Sequence, residues 1–189
     1  FKKEITNNND VFKSFLDAEK FSLKWDTYFE VYDQIFKKFR GKKITFVEVG
    51  VFSGGSLFMW KKYFGENARI IGIDLNPKAK ELEEYGFEIY IGNQSSPNFW
   101  NNFYKDIGKI DVILDDGGHK NIQQINTVHN SLNYINNEGL IVVEEFITGL
   151  QTGKPAIPVE EVIEVSQATI DVAEILRNQN GSRNCRLGS

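Results

Sequence analysis

The chain has 189 residues, 41% hydrophobic and 25% charged, with 22 Lys+Arg against 26 Asp+Glu for a formal net charge of −4. Fifteen Phe, seven Tyr and three Trp supply a core for about one domain and exclude a disordered chain. The acidic balance argues against an electrostatic nucleic-acid binder; the single cysteine, Cys185, excludes an internal disulfide; and no apolar run reaches the ~18–20 residues of a membrane span. These features point to a cytoplasmic protein without a nucleic-acid or membrane partner.

Residues 1–40 read as helical and aromatic. Tyr28, Tyr32, Ile35 and Phe39 recur at steps of three and four, and Arg40-Gly41 supplies a basic last turn and a glycine stop. Such a helix packs on a sheet edge or, in the sharper reading, forms a lid with Trp25 and Tyr28 facing a ligand. Residues 1–40 are accordingly assigned as an N-terminal helical lid or cap.

A regular alternation begins at Lys43. Ile44–Gly50, Arg69–Leu75, Phe87–Gly92, Ile110–Asp115 and Gly139–Glu145 are short runs dense in Ile and Val. Between them lie helix-like stretches at Gly54–Phe64, Pro77–Tyr85, Ser96–Asp106 and Asn121–Tyr134. Strands apolar on both faces, separated by helices, predict a parallel sheet covered on both sides: a Rossmann-like, doubly wound, mostly parallel α/β domain over residues 41–150. After a loop at Thr152–Pro158, Val159–Leu176 predicts one amphipathic helix, with Val162, Val165, Thr169, Val172 and Leu176 on one side. Asn178–Ser189 is a polar tail, so 151–189 forms a C-terminal helix and tail.

Ligands of such sheets bind beyond the carboxyl ends of the strands. Those ends carry Glu48 and Gly50, Asp74, Asn93 and Gln94, Asp115 and Asp116, and Glu144 and Glu145. So many carboxylates at one rim repel one another unless a cation or a cationic, hydroxyl-bearing ligand relieves them. A solvated acidic edge is the plain alternative. In the first loop, Glu48 to Ser56, glycines at 50, 54 and 55 allow a tight turn and close backbone approach. It is not the dinucleotide fingerprint, which needs glycine where Phe52 stands, and no Lys-Ser/Thr follows as in a P-loop. Asp74, about twenty residues on, is placed to accept two ribose hydroxyls.

The pattern E-x-G-x-x-x-G-x-S from Glu48 to Ser56, followed by Gly72-Ile73-Asp74, resembles the cofactor signature of class I S-adenosylmethionine-dependent methyltransferases. Three further stretches are similar to one branch, the metal-dependent sugar O-methyltransferases of macrolide biosynthesis of the mycinamicin and macrocin type. They are Lys24-Trp25 through Tyr28 to Tyr32-Asp33, Gly92-Asn93-Gln94-Ser95, and Leu114-Asp115-Asp116-Gly117-Gly118-His119. Asn93 stands where that branch usually has aspartate.

The resemblance implies S-adenosylmethionine as cofactor, held by Glu48, Gly50, Ser53, Gly54, Gly55, Ser56, Asp74, Asn93, Gln94, Asp115 and Tyr28. It implies magnesium on Asp116, Glu144 and Glu145, with His119 as general base and Asp116 beside it. The other histidine, His129, falls mid-helix, where a packing or surface role is the default. The acceptor would be a hydroxyl of a sugar or glycosylated small molecule, and a homo-oligomer is left open. The family sheet continues with a sixth strand and an antiparallel seventh, whereas the residues after Gln151 read as helix, short relative to the family. The alternatives are a nicotinamide-dependent oxidoreductase, opposed by Phe52, and a non-catalytic module on the same fold.

Overall fold

In the computed structural model, which describes residues 8–144 and 169–171, one parallel sheet runs through the molecule. Its strands are β1 (Thr45–Val49), β2 (Arg69–Asp74), β3 (Glu88–Ile91), β4 (Ile110–Asp115), β5 (Ile135–Val143) and β6 (Thr169–Asp171). They lie in the order β3-β2-β1-β4-β5-β6, every neighbouring pair parallel. The chain moves outward from β1 to β3 and then crosses back to place β4 on the other side of β1. The order therefore reverses between β1 and β4, where a doubly wound sheet opens a crevice.

Side chains alternate across the sheet at period two. Phe46, Ile70, Val112, Leu114 and Val142 face one side, packing with α1 (Asp10–Leu16), α2 (Tyr28–Phe36) and α3 (Gly55–Phe64). Val47, Val49, Ile71, Ile73, Ile113 and Ile141 face the other, against α4 (Pro97–Ile107) and α5 (Asn121–Ser131). The first layer is largely aromatic: Tyr32, Phe36, Phe46, Trp60 and Phe64 are fully buried, with Trp60 edge-on to Tyr32 and Phe36 at 5.2 and 5.3 Å. Truncating one of these rings to Ala removes apolar area and leaves a cavity, a loss of about 3–5 kcal/mol. Among the described residues, no helix is long and apolar enough to cross a membrane.

Several predicted elements are corrected. Where an N-terminal helical lid or cap over residues 1–40 is expected, the described residues form two short α-helices joined by a non-helical segment. α1 and α2 belong to the core, with Tyr28, Phe29, Val31, Tyr32 and Phe36 buried, and residues 17–27 between them are not helical. Pro77–Tyr85 forms a 3-10 helix, capped by the Asn76 side chain and closed by Gly86. Its two buried residues, Ala79 and Leu82, lie three apart, which matches the 3-10 repeat better than the α-helical one. β5 begins at Ile135 rather than Gly139, because Ile110 pairs with Ile135 before an irregularity that restores register at Val112 and Leu140. Backbone pairing there overrides a polar stretch, Asn136-Asn137-Glu138, that reads as loop. Within the expected helix at Val159–Leu176, residues 169–171 form β6, paired Ile141↔Thr169 through Val143↔Asp171. The open edge of β5 offers that β-branched run a ladder of hydrogen bonds that local helical periodicity does not reveal. The rest of that expected helix, and the polar tail, lie outside the described residues.

Candidate active site

A cleft of about 520 Å³ opens at the carboxyl ends of β1, β2 and β4, at the reversal of strand order. Its floor is the loop after β1. Gly50 has φ +84°, and its N–H bonds the Ile73 carbonyl at 2.8 Å. A Cβ there would lie 2.7 Å from Gly117 Cα and 2.8 Å from the Asp116 carbonyl carbon, so glycine is what lets the loops after β1 and β4 touch. Phe52 also holds a left-handed backbone, φ +48°, at the position where a dinucleotide fingerprint has glycine, and the residue is 79% exposed at the mouth. An L-residue in that region is strained, and such strain collects at functional loops. Asp74, at the end of β2, accepts from the Val51 and Phe52 N–H groups at 3.0 and 3.2 Å and from Asn76 N–H at 2.8 Å. Its carboxylate thus orders the floor from which it would meet a ligand.

Residues 21–23 form one wall. Ser53 Oγ donates to the Phe21 carbonyl at 2.5 Å, and any side chain at Gly55 would run into the Lys20 and Phe21 backbone. Phe21, Ser22 and Leu23 line the cleft, so the segment covering it is an extended strap rather than a helix. Trp25, expected to face a ligand, is exposed outside the cleft lining, while Tyr28 is buried 5.8 Å edge-on to Tyr32.

The sequence-predicted residues separate by the pleat. Gly50, Ser56, Asp74, Asn93, Gln94 and Asp116 line the cleft. Glu48 faces the α3 side and is wholly buried, accepting from Ser56 Oγ at 2.6 Å and Trp60 Nε1 at 3.3 Å. Asp115 faces the opposite layer, where Gln94 Nε2 donates to both its oxygens at 3.1 Å and Gly117 N–H to one at 3.1 Å. Glu48, Tyr28 and Asp115 therefore sit behind the cleft, and Ser53, Gly54 and Gly55 shape the loop and anchor the strap.

Asp116 projects oppositely to Asp115, 25% exposed, and meets a residue that motif reasoning placed at no site. Lys24, its side chain 1% exposed, sets Nζ 2.5 Å from Asp116 Oδ2, 2.8 Å from Glu144 Oε1 and 3.6 Å from Glu48 Oε1. Tyr32 donates to the same Glu144 oxygen. Burial would push the Lys24 ammonium down, but Glu144, Glu48 and Asp116 together outweigh it and hold it protonated. Burial raises Glu144 to about 8, against the pull of Lys24, and raises Glu48 as well. Tyr32 goes up by burial first and by Glu144 second. The available signal was the Lys24-Trp25…Tyr32 stretch, which carried the family resemblance without showing that Lys24 points inward.

His119 has φ +46°, and its Nε2 lies 3.8 Å from Asp116 Oδ1, the oxygen Lys24 leaves open. The N-cap of α5 is Lys120, so His119 stands before the helix rather than capping it. Glu145 lies outside the described residues. Among the described residues no group of three His, Cys, Asp or Glu forms a ready metal cage. Asp116 and Glu144 nevertheless converge as two carboxylates, one reaching the cleft, and magnesium often takes only one or two protein carboxylates and completes its shell with water or substrate.

No protein-family model matches the chain. The 8-demethyl-8-alpha-L-rhamnosyl tetracenomycin-C 2'-O-methyltransferase of Streptomyces olivaceus is 34% identical over 136 residues, 67% of this chain and 35% of that protein. The demethylmacrocin O-methyltransferase of Streptomyces fradiae is 28% identical over 152 residues, 77% of this chain and 38% of its own length. In fold, the MycE methyltransferase of the mycinamycin biosynthetic pathway, solved with Mg, SAH and mycinamycin VI, matches with a TM-score of 0.68 and 25% identity over 82% of this chain and 44% of that one. The chain thus spans roughly a third of the curated relatives it matches.

Proposed function

We propose, from its likeness to the sugar O-methyltransferase branch of the class I S-adenosylmethionine-dependent methyltransferases, that this chain carries the cofactor cleft and methyl-transfer site of such an enzyme. The likeness is one of sequence and of fold together. The acceptor would be a hydroxyl of a sugar on a glycosylated small molecule. The observation that carries the reading is one cleft lined at one end by Asp74, which orders the glycine loop, and at the other by Asp116, with His119 outside the lining and 3.8 Å from Asp116.

The sulfonium of S-adenosylmethionine supplies a methyl already activated for in-line displacement. What the protein adds is placement and a base. Gly50 and Asp74 hold the cofactor floor, and positioning two reactants in line contributes up to about 7–11 kcal/mol. His119, its Nε2 3.8 Å from Asp116 Oδ1, takes the proton from the acceptor hydroxyl, worth roughly 10²–10⁴-fold. Asp116 and Glu144, with Glu145 following, would hold magnesium, which supplies Lewis acidity toward the acceptor hydroxyls. The cytoplasm suits this reading, since it provides S-adenosylmethionine.

The test is binding followed by turnover. S-adenosylhomocysteine should raise the melting temperature and NAD should not. Labelled methyl should pass from S-adenosylmethionine to a 6-deoxyhexose glycoside bearing a vicinal diol. Stabilisation by NAD alone would favour the oxidoreductase; S-adenosylhomocysteine binding with no transfer to any such glycoside would favour a binding module.

A further inference from the structure

We infer that Lys24 is a positioning residue of this site, its buried ammonium setting how the Asp116 and Glu144 carboxylates face and how loosely they hold a divalent cation. The inference rests on the reading of those carboxylates as cation ligands. Lys24 makes its two short contacts to one oxygen each of Asp116 and Glu144, and its third, longer contact to Glu48. Glu48 is sealed beneath α3, and Glu144 is almost as deeply buried. Asp116 is the member of the trio that reaches the cleft, and Lys24 binds its Oδ2, leaving Oδ1 on the His119 side. The carboxylate is thus held from behind with a defined outward oxygen.

The same ammonium governs affinity. Lys24 offsets one unit of the negative charge that these carboxyl groups present before any other cation arrives. A positive charge bonded to the ligating carboxylates competes with a dication through a medium that screens far less than water. The site therefore holds its cation weakly, leaving coordination positions for an acceptor. Lys24 also sits on the strap whose Phe21, Ser22 and Leu23 wall the cleft, so the cation site and the cofactor cover share one anchor.

Manganese and magnesium binding to the whole chain, by calorimetry and manganese spin resonance, test this in Lys24→Met, Lys24→Gln and Lys24→Arg. The neutral variants should bind manganese at least tenfold more tightly than the unmodified chain, and Lys24→Arg should return to within about threefold of it. A merely structural lysine would give weaker binding in damaged variants, with no recovery set by charge. Unchanged or weaker manganese binding in folded neutral variants overturns the inference, as does an unmodified chain that binds neither cation. If the neutral variants do not fold, nitrogen-15 lysine spectra of the unmodified chain decide: the Lys24 ammonium resonance should shift with the same magnesium midpoint as calorimetry, and a resonance unmoved at saturation overturns it. S-adenosylhomocysteine affinity, measured in parallel, separates the two readings. Cofactor binding without cation binding sinks this inference alone, and cation binding without cofactor binding sinks the methyltransferase reading.

Discussion

Gly50→Ala isolates the contact between the loops after β1 and β4. Gly50 and Gly86 share φ +84°, but a Cβ at Gly86 meets nothing within 4 Å, whereas at Gly50 it meets the backbone of Asp116 and Gly117 at under 3 Å. Both alanine variants carry the left-handed backbone cost, about 1–2 kcal/mol. Only Gly50→Ala adds overpacking against atoms that cannot rotate away, about 1–3 kcal/mol more. With a urea dependence of roughly 1–3 kcal/mol/M, its unfolding midpoint should fall below that of Gly86→Ala by on the order of 1 M at equal slope. Urea unfolding followed by circular dichroism measures this directly. Because the clash also pushes Asp116 and Gly117 off the cleft wall, S-adenosylhomocysteine should bind Gly50→Ala at least tenfold more weakly and Gly86→Ala within twofold of normal. Coincident midpoints for the two variants would refute the close approach of the loops, and normal cofactor affinity in Gly50→Ala would refute its place in the floor.

Asp74→Ala removes a charged acceptor from the Val51 and Phe52 amides and from the cofactor ribose; at about 1.5–3 kcal/mol for a hydrogen bond to a charged group, calorimetry should show at least tenfold weaker S-adenosylhomocysteine binding, and unchanged binding would displace Asp74 from the site. His119→Ala should bind S-adenosylhomocysteine within twofold of normal while kcat and kcat/KM toward the sugar acceptor fall together by about 10²-fold or more, since a base acts in the transition state; near-normal turnover would end its role. Glu144, raised by burial from 4.5 to about 8, keeps a proton in the folded chain that the unfolded chain releases, so stability should fall as pH rises from about 4.5 to about 8. Glu48 and Asp115, also raised by burial, act in the same direction. Melting temperatures in EDTA buffer should therefore decline across that window, and Glu144→Gln should remove part of the decline; an unaltered slope would show that Glu144 does not carry the proton.

Much of the fold was legible in residue order because its causes are local. Short runs dense in Ile and Val mark β1, β2 and β4 almost to the residue, and glycines at 50, 54 and 55 with Asp74 mark the floor of the cleft. The pleat even decides that Asp115 and Asp116 part ways, one into the α4–α5 layer and one into the cleft. What residue order did not carry was set by pairing at a distance. β6 forms because β5 presents an open edge, not because residues 169–171 favour a strand over the amphipathic helix they also fit. The strap covers the cleft because Ser53 and Gly55 receive its backbone, a contact with no periodicity to betray it. Lys24 lies 92 residues from Asp116 and 120 from Glu144, and on an irregular segment its charge alone suggests a solvated side chain. Only the folded sheet, by bringing the ends of β4 and β5 beneath that segment, buries the ammonium among three carboxylates, where losing water is offset by ion pairing no local pattern encodes.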